Sequence, residues 1–208
     1  MRQWVFRWRG YVLIPTAVLA LWLCQPTITS FVLGLLVALS GEALRIWGVG
    51  YSGVTTRMRK VVAPRLVTAG PYAYVRNPLY IGNFITALGF LIIAVGGIGW
   101  GLRVLLLLVT VASYGLVYAG IIIPLEEEYL ARTFGNPYEE YCRHVPRLLP
   151  RPTPYPNAEG QFDWRAIQRA EIHTLGLFSA MCIYMMARMP AHADALEAVL
   201  LLLRGPLS

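Results

Sequence analysis

Two short polar blocks hold the residues whose types and spacing could do chemistry. Residues 66–82 read LVTAGPYAYVRNPLYIG and supply Tyr72, Tyr74, Arg76, Asn77 and Tyr80. The second block starts at Glu126-Glu127-Glu128 and closes on YEEYCRHVPRLLP (138–150), with Tyr138, Tyr141 and Arg147. Arg76 can grip a carboxylate through two parallel hydrogen bonds. Phenol rings attract a sulfonium or quaternary ammonium through their negative faces. Of the two leading carboxylates, one can serve as general base or orient a substrate, and the other can bind hydroxyls or an ammonium. Together they suit a small cationic cofactor and group transfer. Each residue also has a plainer role: Arg76 as a topology-setting charge, the tyrosines as an interfacial belt, the glutamates as a solvated helix end.

Local signals place these residues. Gly70-Pro71 marks a turn. Pro78 pushes Asn77 out of the helical region and then suits the first turn of a helix, so Arg76 and Asn77 sit at the mouth of that helix. Its free N–H groups favour a carboxylate or phosphate. The apolar run before Glu126 continues into EEEYLARTFG, and Gly135 stops it. Negative charge at a helix C-terminus opposes the macrodipole, so the glutamates read as kept for function there. Glu127 is the leading catalytic or orienting residue. Its loss removes no apolar packing, so Glu127→Ala is expected to stop turnover and leave the fold. Asn136 reads as an N-cap, with Pro137 at the first helical position and Glu139 completing a capping box. Tyr138, Tyr141 and Val145 form the buried stripe of that short helix, which Pro146 ends.

The surroundings are a membrane protein's. The chain has 208 residues, 57% hydrophobic and 14% charged, against about 25% charged in soluble domains. Apolar runs at 11–24, 28–50, 79–98, 102–125 and 172–188 predict an all-α polytopic bundle of about five transmembrane helices. Residues 1–150 form its core, 151–164 a Pro-rich linker, and 165–208 an interfacial helix plus a final transmembrane segment. Three Lys/Arg precede the first run, five lie between the second and third, and six between the fourth and fifth; only Arg103 and Arg188 face the other side. That asymmetry predicts a cytoplasmic N-terminus and cytoplasmic polar blocks. The net charge of +7 is therefore topological and not a nucleic-acid footprint. Cys24, Cys142 and Cys182 show no paired spacing, and the three histidines show no metal-ligand spacing. Glu42 and Arg45 form an intramembrane pair, a functional candidate or a structural ion pair, with Glu42 placed to line a polar cavity.

GPYAYVRNPLYIG, then EExxLxxxFG at 126–135, then YxxYxxxVPRxxP at 138–150, together resemble the isoprenylcysteine carboxyl methyltransferase and phospholipid methyltransferase superfamily of integral-membrane enzymes. The resemblance covers roughly residues 40–150. It implies S-adenosylmethionine as methyl donor, bound near the cytoplasmic face of a bacterial inner membrane, and a lipophilic or membrane-embedded acceptor with a carboxylate, amine or thiol. By the same resemblance Tyr74, Arg76, Asn77, Pro78, Tyr80, Gly82 and Glu126 line the cofactor site. Glu126 and Glu127 match the paired acidic motif, with Arg76 beside them in catalysis, and Tyr138, Tyr141 and Arg147 match a closing segment. Asn77 stands where many members carry His; Asn hydrogen-bonds but does not titrate near neutrality. Two other classes remain open: a non-enzymatic lipid-binding or assembly protein, and a nicotinamide-dependent membrane reductase.

Overall fold

The computed structural model describes residues 14–53 and 65–189. The described residues are helical, with no strand among them. The helices are α1 (Ile14–Trp22), α2 (Ile28–Ser52), α3 (Pro78–Ala94), α4 (Trp100–Tyr114), α5 (Ile123–Phe134), α6 (Asn136–His144) and α7 (Trp164–Ala187). A 3-10 turn spans Gly70–Ala73, and a π-helical stretch, Gly115–Ile122, joins α4 to α5. Among the described residues three helical runs are long and apolar enough to cross a membrane: Ile28–Ser52, Trp100–Phe134 and Trp164–Ala187. The shorter apolar helix α3 has 17 residues. Large apolar side chains such as Val18, Leu36, Leu108, Leu116 and Leu177 stand exposed on the helix surfaces. In water such a surface would drive association; against lipid tails it costs nothing.

The α2–α3 pair is the spine. Thr27 caps α2, accepting from Ser30 N while its own N–H donates to Ser30 Oγ. Gly53 ends the helix at φ 75°, in the left-handed region. Gly34 and Gly41 on α2 face Gly82 and Gly89 on α3 so closely that a Cβ on Gly34 would lie 2.5 Å from Gly89 O. Without an oil–water difference between helices, such close backbone approach is what membrane helices pack by. Ser30 Oγ donates across the pair to Ile93 O, at 3.2 Å.

Three expectations change. The run Trp100–Phe134 is continuous and stops at Gly135, as the sequence predicts, but Glu126 and Glu127 lie in the first turns of α5 and not at a helix C-terminus. The macrodipole acts within about the last turn, so it gives no argument about Glu127, which lies seven residues before Phe134. The cap of α6 is Gly135, at φ 60°, with no side-chain cap bond, one residue earlier than the Asn136 capping box. And Trp164–Ala187 is one unbroken helix. The terminal segment 190–208 and residues 57–60 lie outside the described residues.

The π-helical stretch has a local cause. Pro124, at the start of α5, has no N–H and its ring clashes with the carbonyl four residues back. A widened turn before it relieves the clash, and such bulges gather at functional sites. Here it carries Tyr118 into the interior.

Candidate functional site

The two polar blocks meet at one carboxylate. Glu127 is 8% exposed. Arg147 Nε and Nη2 donate to its Oε2 at 2.9 and 2.6 Å, and Asn77 Nδ2 donates to its Oε1 at 3.3 Å. Arg76 Nε lies 3.4 Å from Oε1 but is buried without hydrogen-bond geometry. Burial opposes the charge on Arg76, yet Glu127, with Cys142 and Tyr138, outweighs it and holds the pKa above the usual guanidinium value. Asn77 also donates to Arg147 O at 3.1 Å, and Arg76 N donates to Pro146 O at 2.9 Å. Glu127 therefore fastens the segment after α6 onto the mouth of α3. Two guanidinium groups share this carboxylate. Its geometry is that of an anchor for Arg76 and Arg147.

Glu126 has a different setting. It accepts from Tyr80 OH at 2.8 Å, and Tyr80 is in ring contact with Tyr118, 5.5 Å between centroids. Tyr118 stacks on Tyr114 at 4.3 Å, and Tyr114 OH donates to Tyr80 O at 2.6 Å. Three phenol rings from α3, α4 and the π-helical stretch thus form a layer beside a carboxylate. Tyr114 and Tyr118 are members that the sequence reading missed. Their signal was there, two tyrosines four apart in an apolar run, but the widened turn before Pro124 that aligns them departs from the regular helical period.

The remaining predicted residues separate into two groups. Pro78 opens α3 as its first residue. Gly82 faces α2, where a Cβ would lie 2.6 Å from Arg45 Cγ, a close helix-packing position. Tyr138 and Tyr141 are buried at 4% and 3% exposure in a cluster with Ala73, Val145 and Tyr155. Tyr74 packs on that cluster and its ring lies 6.2 Å from Trp47. Burial pushes the phenols of Tyr138, Tyr141 and Tyr72 far above the usual tyrosine range, so they remain neutral donors. Tyr141 OH donates to Tyr72 O at 2.7 Å. Tyr141→Phe is expected to lower stability by about 1 kcal/mol, read as a drop in thermal unfolding temperature.

The segment 151–164 is strapped down along the first block. Arg151 N donates to Tyr74 O, Tyr155 N to Ala73 O, and Thr68 N to Glu159 O, all within 3.0 Å. The sequence reading also missed Glu171 on α7. It is 1% exposed and accepts from Arg45 Nη2 at 2.8 Å, while Glu42 Oε2 lies 3.9 Å from Arg45 Nη1. Glu42 lines a cavity as expected, but the cavity is mostly apolar and not the polar one the sequence suggested, because α1 and α7 wall it with Ala17, Leu21, Leu177 and Met181. Among the described residues no group of three or more His, Cys, Asp or Glu could hold a metal ion.

Residues 32–132 match the family model described as the isoprenylcysteine carboxyl methyltransferase (ICMT) family. Among curated proteins, the chain is 40% identical over 85 residues to a protein-S-isoprenylcysteine O-methyltransferase of Schizosaccharomyces pombe, covering 41% of this chain and 33% of that one. It is 31% identical over 134 residues to a nickel-cobalt-cadmium resistance protein of Alcaligenes xylosoxydans, covering 62% and 53%. It is 35% identical over 79 residues to a methanethiol S-methyltransferase of Crocosphaera subtropica, covering 38% and 27%. The chain thus spans about half or less of the length of these relatives. No solved structure matches it.

Proposed function

We propose, from the match of residues 32–132 to the isoprenylcysteine carboxyl methyltransferase family, that this chain is an S-adenosylmethionine-dependent membrane methyltransferase with a lipophilic acceptor. The relatives named as methyltransferases act, by their names, on an isoprenylcysteine and on methanethiol, and the common element is a small acidic or protic group. In the proposed arrangement the chain crosses the membrane about five times, with its N-terminus and both polar blocks on the cytoplasmic side of a bacterial inner membrane.

The observation that carries the reading is the convergence on Glu127. A buried carboxylate, two arginines and an asparagine from both blocks meet there. S-adenosylmethionine presents a carboxylate, an ammonium, a sulfonium and ribose hydroxyls, and the residues present fit it. Arg147, 46% exposed at its side chain, and the buried Arg76 Nε without a hydrogen bond offer donors to a carboxylate. Glu126 offers an acceptor to an ammonium or hydroxyls. The faces of Tyr80 and Tyr118 suit a sulfonium. The cofactor supplies a methyl group on a positively charged sulfur, whose displacement is in line and needs alignment and dryness more than a strong base.

Calorimetric titration of the purified protein in nanodiscs with S-adenosylmethionine, competed by S-adenosylhomocysteine, tests this. Saturable binding is expected, and Tyr80→Phe, which removes the hydroxyl held by Glu126, is expected to weaken it by about threefold to tenfold. A folded sample that binds neither compound would sink the proposal and direct the next titration to nicotinamide cofactors.

A further inference from the structure

The cavity within the bundle is polar at one end and closed by apolar side chains at the other. It lies among helices α1, α2, α3, α4 and α7 and measures about 380 Å3, near the lower bound of small-molecule sites. Along α3 its lining passes from Asn83 and Thr86 to Phe90 and Leu91, and along α7 from Thr174 to Phe178, Met181 and Met185. The two helices run in the same direction. Arg45 of α2 touches Gly82 near the start of α3 and Glu171 near the start of α7. Further along both, Phe90 and Phe178 meet with ring centroids 5.0 Å apart. The polar lining is therefore gathered at one end, with Glu42 and Arg45, and the apolar lining at the other.

Each end has a definite neighbour. Asn83 follows Tyr80 by three residues on α3, and Thr110, also in the lining, precedes Tyr114 by four on α4. Residues so spaced share a helix face, so the polar end adjoins the aromatic layer beside Glu126. At the far end Ala20, Leu91 and Met185 are buried in one core cluster, with Leu21 and Met181 packed against it. The cavity has a floor there.

On the methyltransferase reading above, we propose that this cavity holds the methyl acceptor as a single-chain amphiphile, with its polar head at Asn83 and Thr110 and its tail against α7, and that Met181 and Met185 set the length of that tail. Lipid tails are as apolar as these walls, so apolarity alone draws nothing out of the bilayer. Shape is what the cavity can select. A tail that stops short of the floor leaves a void, whose lining loses contacts. A tail that is too long must displace buried side chains, which weakens binding about fivefold or more. Helix α7 lies outside the family segment 32–132, so tail length is set by a helix that this match does not include.

The test uses the full chain in nanodiscs and primary alcohols from octanol to octadecanol, each carrying a photoreactive diazirine on its last carbon. Irradiation and peptide mass spectrometry are expected to find Met181 or Met185 marked above the outward-facing Leu36 and Leu108. With the diazirine moved beside the hydroxyl, the mark is expected at Asn83 or Thr86. Reversed marks, or marks no stronger than those on Leu36 and Leu108, overturn the proposal. The yield is expected to peak at one chain length and to fall about fivefold or more beyond it. Met185→Ala, which lowers the floor, is expected to move the peak to a longer chain, and Ala20→Leu, which raises it, to a shorter one. Unfolding temperatures check both variants, and the marks on the parent protein decide if neither folds. A missing peak, or an unmoved one in a folded variant, overturns the role of the methionines. The best-fitting chain is then offered with methyl-labelled S-adenosylmethionine as the amine, the thiol and the carboxylic acid. Ordered marks without label transfer to any of them would count against the methyltransferase reading and leave the cavity's preference standing. Label transfer with disordered marks would sink the acceptor site alone.

Discussion

Glu127→Ala is expected to abolish methyl transfer and also to loosen the protein, by about 3 kcal/mol. The sequence argument alone expected lost turnover and an untouched fold, because no apolar packing goes. The structure changes that expectation. Removing one partner of a buried ion pair leaves the other charge uncompensated and costs about 3–5 kcal/mol. Here Arg76 is the exposed liability, since its side chain is only 15% exposed. Arg147, at 46%, regains water and adds little, which sets the low end of the range. Asn77 loses its bond to Glu127 but keeps the one to Arg147 O. Glu127→Gln separates charge from shape: it keeps an acceptor for Asn77 and loses both ion pairs. If Glu127 is the anchor of Arg76 and Arg147, both substitutions lower the unfolding temperature and weaken S-adenosylmethionine binding together. A Glu127→Ala protein that melts and binds cofactor like the parent would refute the anchoring role. One that melts like the parent, binds normally and fails only in turnover would return Glu127 to direct catalysis.

Much of this site was readable because its residues are polar in an apolar chain. Arg76, Asn77, Glu126, Glu127 and Arg147 have little reason to cluster in an apolar chain except to meet, and Arg76, Asn77 and Arg147 do so around Glu127. The turn at Gly70, the helix start at Pro78 and the stop at Gly135 followed from backbone restrictions that act locally. What could not be read depends on depth and rotation. Tyr138 and Tyr141 read both as part of a closing segment and, with Val145, as a buried stripe; the structure buries all three with Ala73 and Tyr155, and only the identity of those partners was out of reach. Glu171 lies in a helix whose start looked interfacial, and only the approach of α7 to α2 reveals its bond to Arg45. Tyr118 reaches the aromatic layer through a widened turn that a regular 3.6-residue period does not anticipate. Glycines at 34, 41, 82 and 89 were legible, yet only Gly82 was used, and for a cofactor site: within each helix they lie seven apart, two turns, on one face.

Gly89→Leu is expected to have the largest effect on folding of any single substitution at that interface. A Cβ at Gly89 would lie 2.6 Å from Gly34 O and 2.7 Å from Ala38 Cα. Both are backbone atoms, so no side-chain rotation relieves the clash; the helices must separate or slide. Ordinary overpacking costs about 1–3 kcal/mol, and backbone displacement along the spine exceeds that. The damage would not stay local. Helix α2 carries Glu42 and Arg45, and α3 carries Asn77 at its mouth, Tyr80 and Asn83, so separation of the pair misplaces the cavity's charged end and the Glu127 cluster at once. Gly176→Ala on α7 is the control. Nothing lies within 4 Å of a Cβ there, and replacing glycine inside a helix gains about 0.5–1 kcal/mol. Unfolding temperatures in nanodiscs should therefore fall sharply for Gly89→Leu and hold or rise for Gly176→Ala, with cofactor and amphiphile binding lost only in the first. Parent-like melting of Gly89→Leu would mean that α2 and α3 do not pack through these glycines, and the placement of both sites along them would fall with it.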